Sequence, residues 1–129
     1  TSDPAYHALI RRYLWDAQAQ SGRPVSDHVR EEIARQMEFG LCSMESVARG
    51  IRVSPRSLQR QLQQDGTSFR QLLDEWRKAR ALSMVTNTRL PLSEISQVLG
   101  YSEQSVFTQA FRRWYGDAPL KMRAGAAAG

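Results

Sequence analysis

Apolar residues recur along most of the chain at the three- and four-residue spacing of an amphipathic helix. The nearest approach to a strand is residues 51–53, a run too short to count as one. Helices of this kind bury one stripe against their neighbours and leave the opposite face in water. The pattern therefore predicts an all-α protein with several short helices.

Capping residues, glycines and prolines mark where these helices begin and end. Five serines stand where an N-cap is expected, and Ser68 with Gln71 has the spacing of a capping box. The serines are Ser26, Ser43, Ser54, Ser68 and Ser102. The helices that begin at these serines run from 26 to about 39, 43–48, 54–65, 68–86 and 102–116. A short helix at 93–99 follows Pro91, and a short last helix begins at Pro119. We expect the Ala/Gly tail 124–129 to be flexible.

The chain also repeats itself at a shift of 48 residues. That shift places Val47 on Ile95, Ile51 on Leu99, Val53 on Tyr101, Ser54 on Ser102, Ser57 on Ser105 and Leu58 on Val106. Each repeat consists of a short helix, a tight turn and a second helix with a serine at its start. This order predicts two helix-turn-helix units joined by one long helix.

The second helix of the first unit carries only arginine and glutamine on its outward arc. Leu58 and Leu62 lie on the other side of the helix, towards a core. Arginine pairs well with guanine edges and glutamine with adenine edges, so this arc suits the major groove of DNA. The candidate base-reading residues here are Arg56, Gln59, Arg60 and Gln63.

The second helix of the other unit shows the same division. Its apolar stripe is Phe107, Ala110, Phe111 and Trp114. Opposite the stripe lie Gln104, Ser105, Thr108, Gln109 and Arg112, and the first four of these are the candidate base-reading residues. The candidate phosphate contacts of the chain are Arg52, Arg77, Arg112 and Arg113. Because the early part of this helix lacks arginine, we expect the first unit to supply more of the affinity.

The long helix predicted over residues 68–86 has 19 residues and a length of about 28 Å. Successive major-groove faces on one side of DNA lie about 34 Å apart. A connector of this length is compatible with two units that read adjacent grooves.

Charge supports a polyanionic partner. The 129 residues carry a net charge of +5, made up of −2 over residues 1–45 and +7 over residues 46–129. An Arg-rich solvated surface would give the same count, so charge alone leaves both interpretations open.

Other chemistry finds little support in the composition. The single cysteine, Cys42, forms no internal disulfide, and His7 and His28 lack the spacing of metal ligands. No glycine-rich phosphate loop and no apolar run of membrane-spanning length is present. We therefore expect no enzyme activity, no cofactor, no metal and no membrane partner.

Three stretches resemble the DNA-binding domain of the AraC/XylS transcriptional regulators. They are ESVARGIRVSPRSLQRQL (45–62), TSFRQLLDEWRKARA (67–81) and LSEISQVLGYSEQSVFTQAFRRWYGDAPLKMR (92–123). The resemblance implies a cytoplasmic, nucleoid-associated regulator that binds specific double-stranded promoter DNA and activates transcription through RNA polymerase. Residues that match base-reading positions of the family are Arg56, Gln59 and Arg60, then Gln104, Ser105, Thr108 and Gln109.

The predicted organisation follows from the repeat and the resemblance. It comprises the first helix-turn-helix subdomain at 25–66, the linker helix at 67–88, the second subdomain at 89–123 and the flexible tail. We expect residues 1–24 to form an N-terminal helix or linker, with three alternatives: the last helix of a companion effector or dimerisation domain, a linker to it, or a dimer contact. Their apolar stripe packs either on the rest of the chain or against another domain or copy; it consists of Tyr6, Leu9, Ile10, Tyr13 and Leu14.

Two other functions remain compatible with the sequence. If the chain were a basic helical module that binds an acidic protein, its positive charge would be explained. This function does not explain the arginine and glutamine faces of the two helices or the repeated unit. A non-specific DNA binder explains the charge and the salt dependence it implies, but it needs no base-reading residues.

Overall fold

The computed structural model describes residues 5, 6, 9, 10 and 22–128. Within residues 22–128 the chain forms helices and no strand, so the predicted all-α class is confirmed. The helices are α1 (Val25–Met37), α2 (Met44–Ile51), α3 (Pro55–Gln64), α4 (Phe69–Asn87), α5 (Leu92–Val98), α6 (Gln104–Tyr115) and α7 (Pro119–Ala128).

Two compact units divide the chain, Thr1–Leu73 and Asp74–Gly129. The boundary lies inside α4, so the predicted linker helix contributes residues to both units. In the first unit α1, α2 and α3 pack on one another. The apolar side chains buried in the described part of this unit are Val29, Ile33, Met37, Val47, Ala48, Leu58, Leu62, Leu72 and Leu73.

The second unit has its own core, built from the remainder of α4 together with α5 and α6. The buried residues of its central cluster are Ala81, Met84, Val85, Leu92, Ile95, Leu99, Phe107 and Phe111. Trp76 and Trp114 are partly buried and pack against this cluster.

Three of the five predicted serine caps are confirmed. The Oγ atoms of Ser43, Ser54 and Ser68 each accept a hydrogen bond from a backbone N–H three residues later, at 3.0–3.2 Å. Each bond satisfies a donor that the first turn of a helix leaves unpaired. In the predicted box at Ser68, the Gln71 side chain instead accepts a hydrogen bond from the Thr67 hydroxyl at 3.1 Å.

The caps predicted at Ser26 and Ser102 are wrong. Helix α1 begins at Val25, and Ser26 is its buried second residue, whose N–H donates to the carboxylate of Asp65. Helix α6 begins at Gln104, with Glu103 rather than Ser102 at the N-cap position. In neither place does the serine hydroxyl cap the helix.

Gly50 lies inside α2, one residue before its end. A Cβ atom added to it would collide with the Glu32 carboxylate and approach Gln36 Nε2 to 3.1 Å. The glycine therefore makes room for a polar network between α1 and α2.

The structure describes part of each end of the chain. The tail predicted to be flexible continues α7 as far as Ala128, as the high helix propensity of alanine favours. Arg123 in this helix donates to the carbonyl oxygen of Val85 at 2.9 Å. Near the N-terminus, Tyr6 and Leu9 are 59% and 67% exposed and Ile10 is partly exposed, whereas Tyr13, Leu14 and His7 lie outside the described residues.

Candidate nucleic-acid interface

The first helix-turn-helix consists of α2, a turn at Arg52 and Val53, and α3. Arg52 adopts the left-handed conformation (φ 65°), and the N–H of Val53 donates to the carbonyl oxygen of Ala48 at 3.0 Å. This bond satisfies a carbonyl at the end of α2 and reverses the chain direction. Ser54 then caps α3, with Pro55 at its first position.

The second helix-turn-helix reproduces this turn at a shift of 48 residues. Gly100 takes the place of Arg52 with φ 91°, and the N–H of Tyr101 donates to the carbonyl oxygen of Ser96 at 3.0 Å. The predicted repeat is therefore present in the backbone of both turns.

After the turn the register of the repeat changes. The buried residues of α3, Leu58 and Leu62, correspond to Phe107 and Phe111 in α6, a shift of 49. Val106, which a shift of 48 placed on Leu58, is 45% exposed. That part of the predicted alignment is wrong because one additional residue separates the second turn from α6.

The corrected register matches the two outward faces position by position. At 100° per residue, the four positions opposite the buried pair span an arc of about 100° in each helix. The matched residues are Arg56 with Ser105, Gln59 with Thr108, Arg60 with Gln109 and Gln63 with Arg112. The i,i+4 spacing of the buried pairs was the sequence signal that could have revealed this match.

On α3, all four predicted base-reading side chains are exposed: Arg56, Gln59, Arg60 and Gln63. Within the described part of the chain, no hydrogen bond or ion pair holds the guanidinium of Arg56 or Arg60. The forked donors and acceptors of this face are therefore available to a ligand.

On α6, the predicted residues are distributed less evenly. Ser105 and Gln109 are exposed at the centre of the outward arc, and Thr108 is half-buried at its edge. Gln104 is exposed but matches Pro55 of α3, which places it on the flank of the helix, next to the buried side. The structure thus brings three of the four together on one face.

The predicted phosphate contacts separate into two groups. Arg52, Arg112 and Arg113 are exposed. Arg77, by contrast, donates from Nε to the carbonyl oxygen of Leu99 at 2.9 Å, and its guanidinium lies 4.9 Å from the centre of the Tyr101 ring. It also pairs with Asp74 at 3.6 Å, and 20% of its side chain is exposed. These internal contacts engage the guanidinium that the sequence assigned to a phosphate. The sequence did not reveal them, because the acceptor at Leu99 lies 22 residues away in the chain.

Two tyrosines of the second unit remain neutral around physiological pH. Burial raises the pKa of Tyr101 above its ordinary value, and burial likewise raises the pKa of Tyr115. The Tyr115 hydroxyl donates to the carbonyl oxygen of Lys78 at 2.7 Å. Neither phenol therefore adds negative charge near the basic surface.

Within residues 22–127, no cluster of three or more His, Cys, Asp or Glu side chains has the arrangement of a metal site. The described helices include none that is long and apolar enough to cross a bilayer. Cys42 is half-buried.

Comparison with known proteins identifies relatives over most of the chain. The family model described as a helix-turn-helix domain matches residues 47–125. The HTH-type transcriptional regulator VirS of Mycobacterium tuberculosis is 34% identical over 123 residues, which cover 95% of this chain and 36% of VirS. This chain therefore spans about a third of the length of that relative.

Two solved structures share the fold. A DNA-binding transcriptional dual regulator from Escherichia coli K-12 superposes with a TM-score of 0.76 at 25% identity, over 83% of this chain and 96% of that one. A transcriptional regulator from Chromobacterium violaceum, described as containing an AraC-type DNA-binding domain, has a TM-score of 0.62 at 25% identity. That match covers 81% of this chain and 97% of the other.

Proposed function

The chain belongs to the AraC-type helix-turn-helix transcriptional regulators, a family of DNA-binding proteins, and from this premise we propose that it recognises specific double-stranded promoter sequences. Helix α3 enters one major groove and helix α6 another, each with its outward arc against the base edges. Arg52 and Arg113 contact phosphates at the margins of these helices, which fixes the register of the protein on the duplex.

One observation carries this proposal. Arg56, Gln59, Arg60 and Gln63 form a single exposed face on a helix whose opposite face, at Leu58 and Leu62, is buried. Burial fixes the rotation of the helix, and that rotation aims the four polar side chains outward together. Arginine and glutamine are the side chains that pair with purines through two hydrogen bonds, so the face is suited to reading sequence.

Selection of binding sites from random duplexes tests the proposal directly. We expect an enriched sequence with two conserved segments, one for each unit, and weaker binding as salt rises. Equal enrichment of all sequences would indicate the non-specific binder. A failure to retain duplex DNA would favour the module that binds an acidic protein.

Arg60→Ala and Arg113→Ala separate base reading from phosphate contact. Loss of a base contact costs about 1–3 kcal/mol and relaxes the preference at one base pair, which we expect for Arg60. Loss of a phosphate contact weakens binding to all sequences and lowers the salt slope by about one unit, which we expect for Arg113. Mobility-shift titrations of selected and scrambled duplexes measure both effects, and the same profile for both variants would refute the assignment.

The remaining proposals concern the longer protein. Because the chain spans about a third of the length of VirS, we place a companion effector or dimerisation domain outside it. The exposed apolar residues Tyr6 and Leu9 supply a surface for that domain. We propose that the regulator works in the cytoplasm on the nucleoid, activates transcription by touching RNA polymerase and has no enzyme activity. Transcription from a promoter with the selected site, with and without the regulator, tests activation.

A further inference from the structure

We propose that Arg112, which the sequence marked as a phosphate contact, reads a base pair in the major groove bound by α6. This inference rests on the proposed function and identifies a specificity-determining residue within it. The side chain takes the position in α6 that Gln63 occupies in α3, seven residues after the first reading position in each helix.

The register of the core carries the argument. Phe107 and Phe111 are fully buried, as are Leu58 and Leu62, so each pair fixes the rotation of its own helix. Relative to the buried pair, Arg112 lies at the same angle as Gln63, near the centre of the outward arc beside Ser105 and Gln109. Arg113 matches Gln64 instead and lies about 100° further round the helix, towards its flank.

Nothing within the described part of the chain restrains the Arg112 side chain. It is exposed, and neither a hydrogen bond nor an ion pair ties its guanidinium to the protein. Arg77 shows the contrast, because internal contacts hold its guanidinium in the second unit. Arg112 therefore keeps all its donors for a ligand, and a guanidinium on this arc fits the two acceptors of guanine.

Arg112 also changes the expected balance between the two units. The base-reading residues predicted for α6 include no arginine. The face that matches the reading face of α3 contains Ser105, Thr108, Gln109 and Arg112. Each unit thus presents at least one side chain able to bind guanine through two hydrogen bonds.

Arg112→Gln and Arg113→Gln provide a matched test, since both remove one positive charge from adjacent exposed positions. Sites are first selected with the unaltered chain, and the affinities of both variants are then measured for that site and for each single-base change in it. We expect Arg112→Gln to lose about 5- to 150-fold on the selected site and to lose its preference for guanine at one base pair. Arg113→Gln should weaken binding uniformly, with one factor of loss common to the selected site and all its single-base changes.

The reciprocal change uses the first unit as an internal comparison. Gln63→Arg places a guanidinium at the matching position of α3, and we expect it to shift the preference at one base pair of the other segment towards guanine. Because the side chains are exposed, the unfolding curves of all three variants should overlay that of the unaltered chain.

The outcomes are distinct. Equal loss on every duplex for Arg112→Gln assigns Arg112 to a phosphate and overturns the inference, as does unchanged affinity. If the unaltered chain selects no sequence at all, the proposed function fails and this inference falls with it. A selective chain whose guanine preference survives Arg112→Gln refutes the inference alone.

Discussion

The carboxylate of Asp65 accepts a hydrogen bond from the backbone N–H of Ser26, 3.1 Å away and 39 residues earlier in the chain. Asp65 ends helix α3, and Ser26 is the second residue of α1, whose N-cap Pro24 offers no side-chain acceptor. The carboxylate thus supplies the cap that the local sequence lacks, and its negative charge suits the positive end of the helix. This contact joins the end of α3 to the start of α1.

Asp65→Ala should destabilise the first unit by about 0.5–2 kcal/mol, the usual cost of losing an N-cap. Urea unfolding followed by circular dichroism measures the change. Asp65→Asn keeps an oxygen acceptor but loses the charge, so we expect an intermediate loss. Ser26→Ala is the matched control at the other end of the bond, where the backbone N–H remains. If Ser26→Ala lowered the free energy of unfolding more than Asp65→Ala, the serine hydroxyl rather than the Asp65 carboxylate would be the main cap of α1.

Arg52→Gly should raise stability while lowering DNA affinity. Arginine at φ 65° is strained in the left-handed conformation, and glycine is not. Glycine loses more backbone entropy on folding, so we expect the free energy of unfolding to rise by only about 0.5–1 kcal/mol. The loss of a phosphate contact should reduce the salt slope by about one unit for all sequences. Thermal unfolding and salt-dependent mobility shifts separate the two effects.

Gly100→Ala is the counterpart in the second unit, because Gly100 holds the same place in its turn at φ 91°. Here the added Cβ brings the steric cost that Arg52→Gly removes, so we expect a loss of about 1–2 kcal/mol. If both substitutions changed stability in the same direction, backbone strain would not explain either result.

Arg77→Ala should destabilise the second unit by about 2–3 kcal/mol. The change removes a charged hydrogen bond to Leu99 and the contact with the Tyr101 ring, and both hold the second turn. Arg80→Ala, an exposed change of equal charge on the same helix, should cost no more than about 0.5 kcal/mol. If Arg77→Ala reduced the salt dependence of DNA binding and left the free energy of unfolding unchanged, Arg77 would be a phosphate contact instead.

Glu32 should make the stability of the first unit depend on pH. Its carboxylate accepts hydrogen bonds from Arg35 and Gln36, and the Arg35 bond is the main reason that its pKa lies below the ordinary value of 4.5. A lowered pKa in the folded state contributes stability above the unfolded pKa, and this contribution is lost as pH falls through the folded pKa. The gap in unfolding free energy between the unaltered chain and Glu32→Gln should therefore shrink below about pH 4. Urea titrations between pH 7 and pH 3 measure it, and a gap independent of pH would contradict the prediction.

The sequence was sufficient to predict features that depend on residues within one or two helical turns of each other. The caps at Ser43, Ser54 and Ser68 depend on contacts only three residues long, so the sequence around each serine contains both partners. The outward face of α3 was also predictable, because Leu58 and Leu62 fix its rotation by simple helical periodicity.

Tertiary structure decided what depends on distant partners. Ser26 and Ser102 resemble the other serine caps, yet the Asp65 carboxylate accepts the hydrogen bond at the start of α1, and α6 begins at Gln104 with Glu103 at its N-cap position. Likewise, the sequence shows that Arg77 is charged, but only the fold brings the carbonyl oxygen of Leu99 to it. A chain specifies contacts within one helical turn by spacing alone, whereas contacts across tens of residues depend on how whole helices pack.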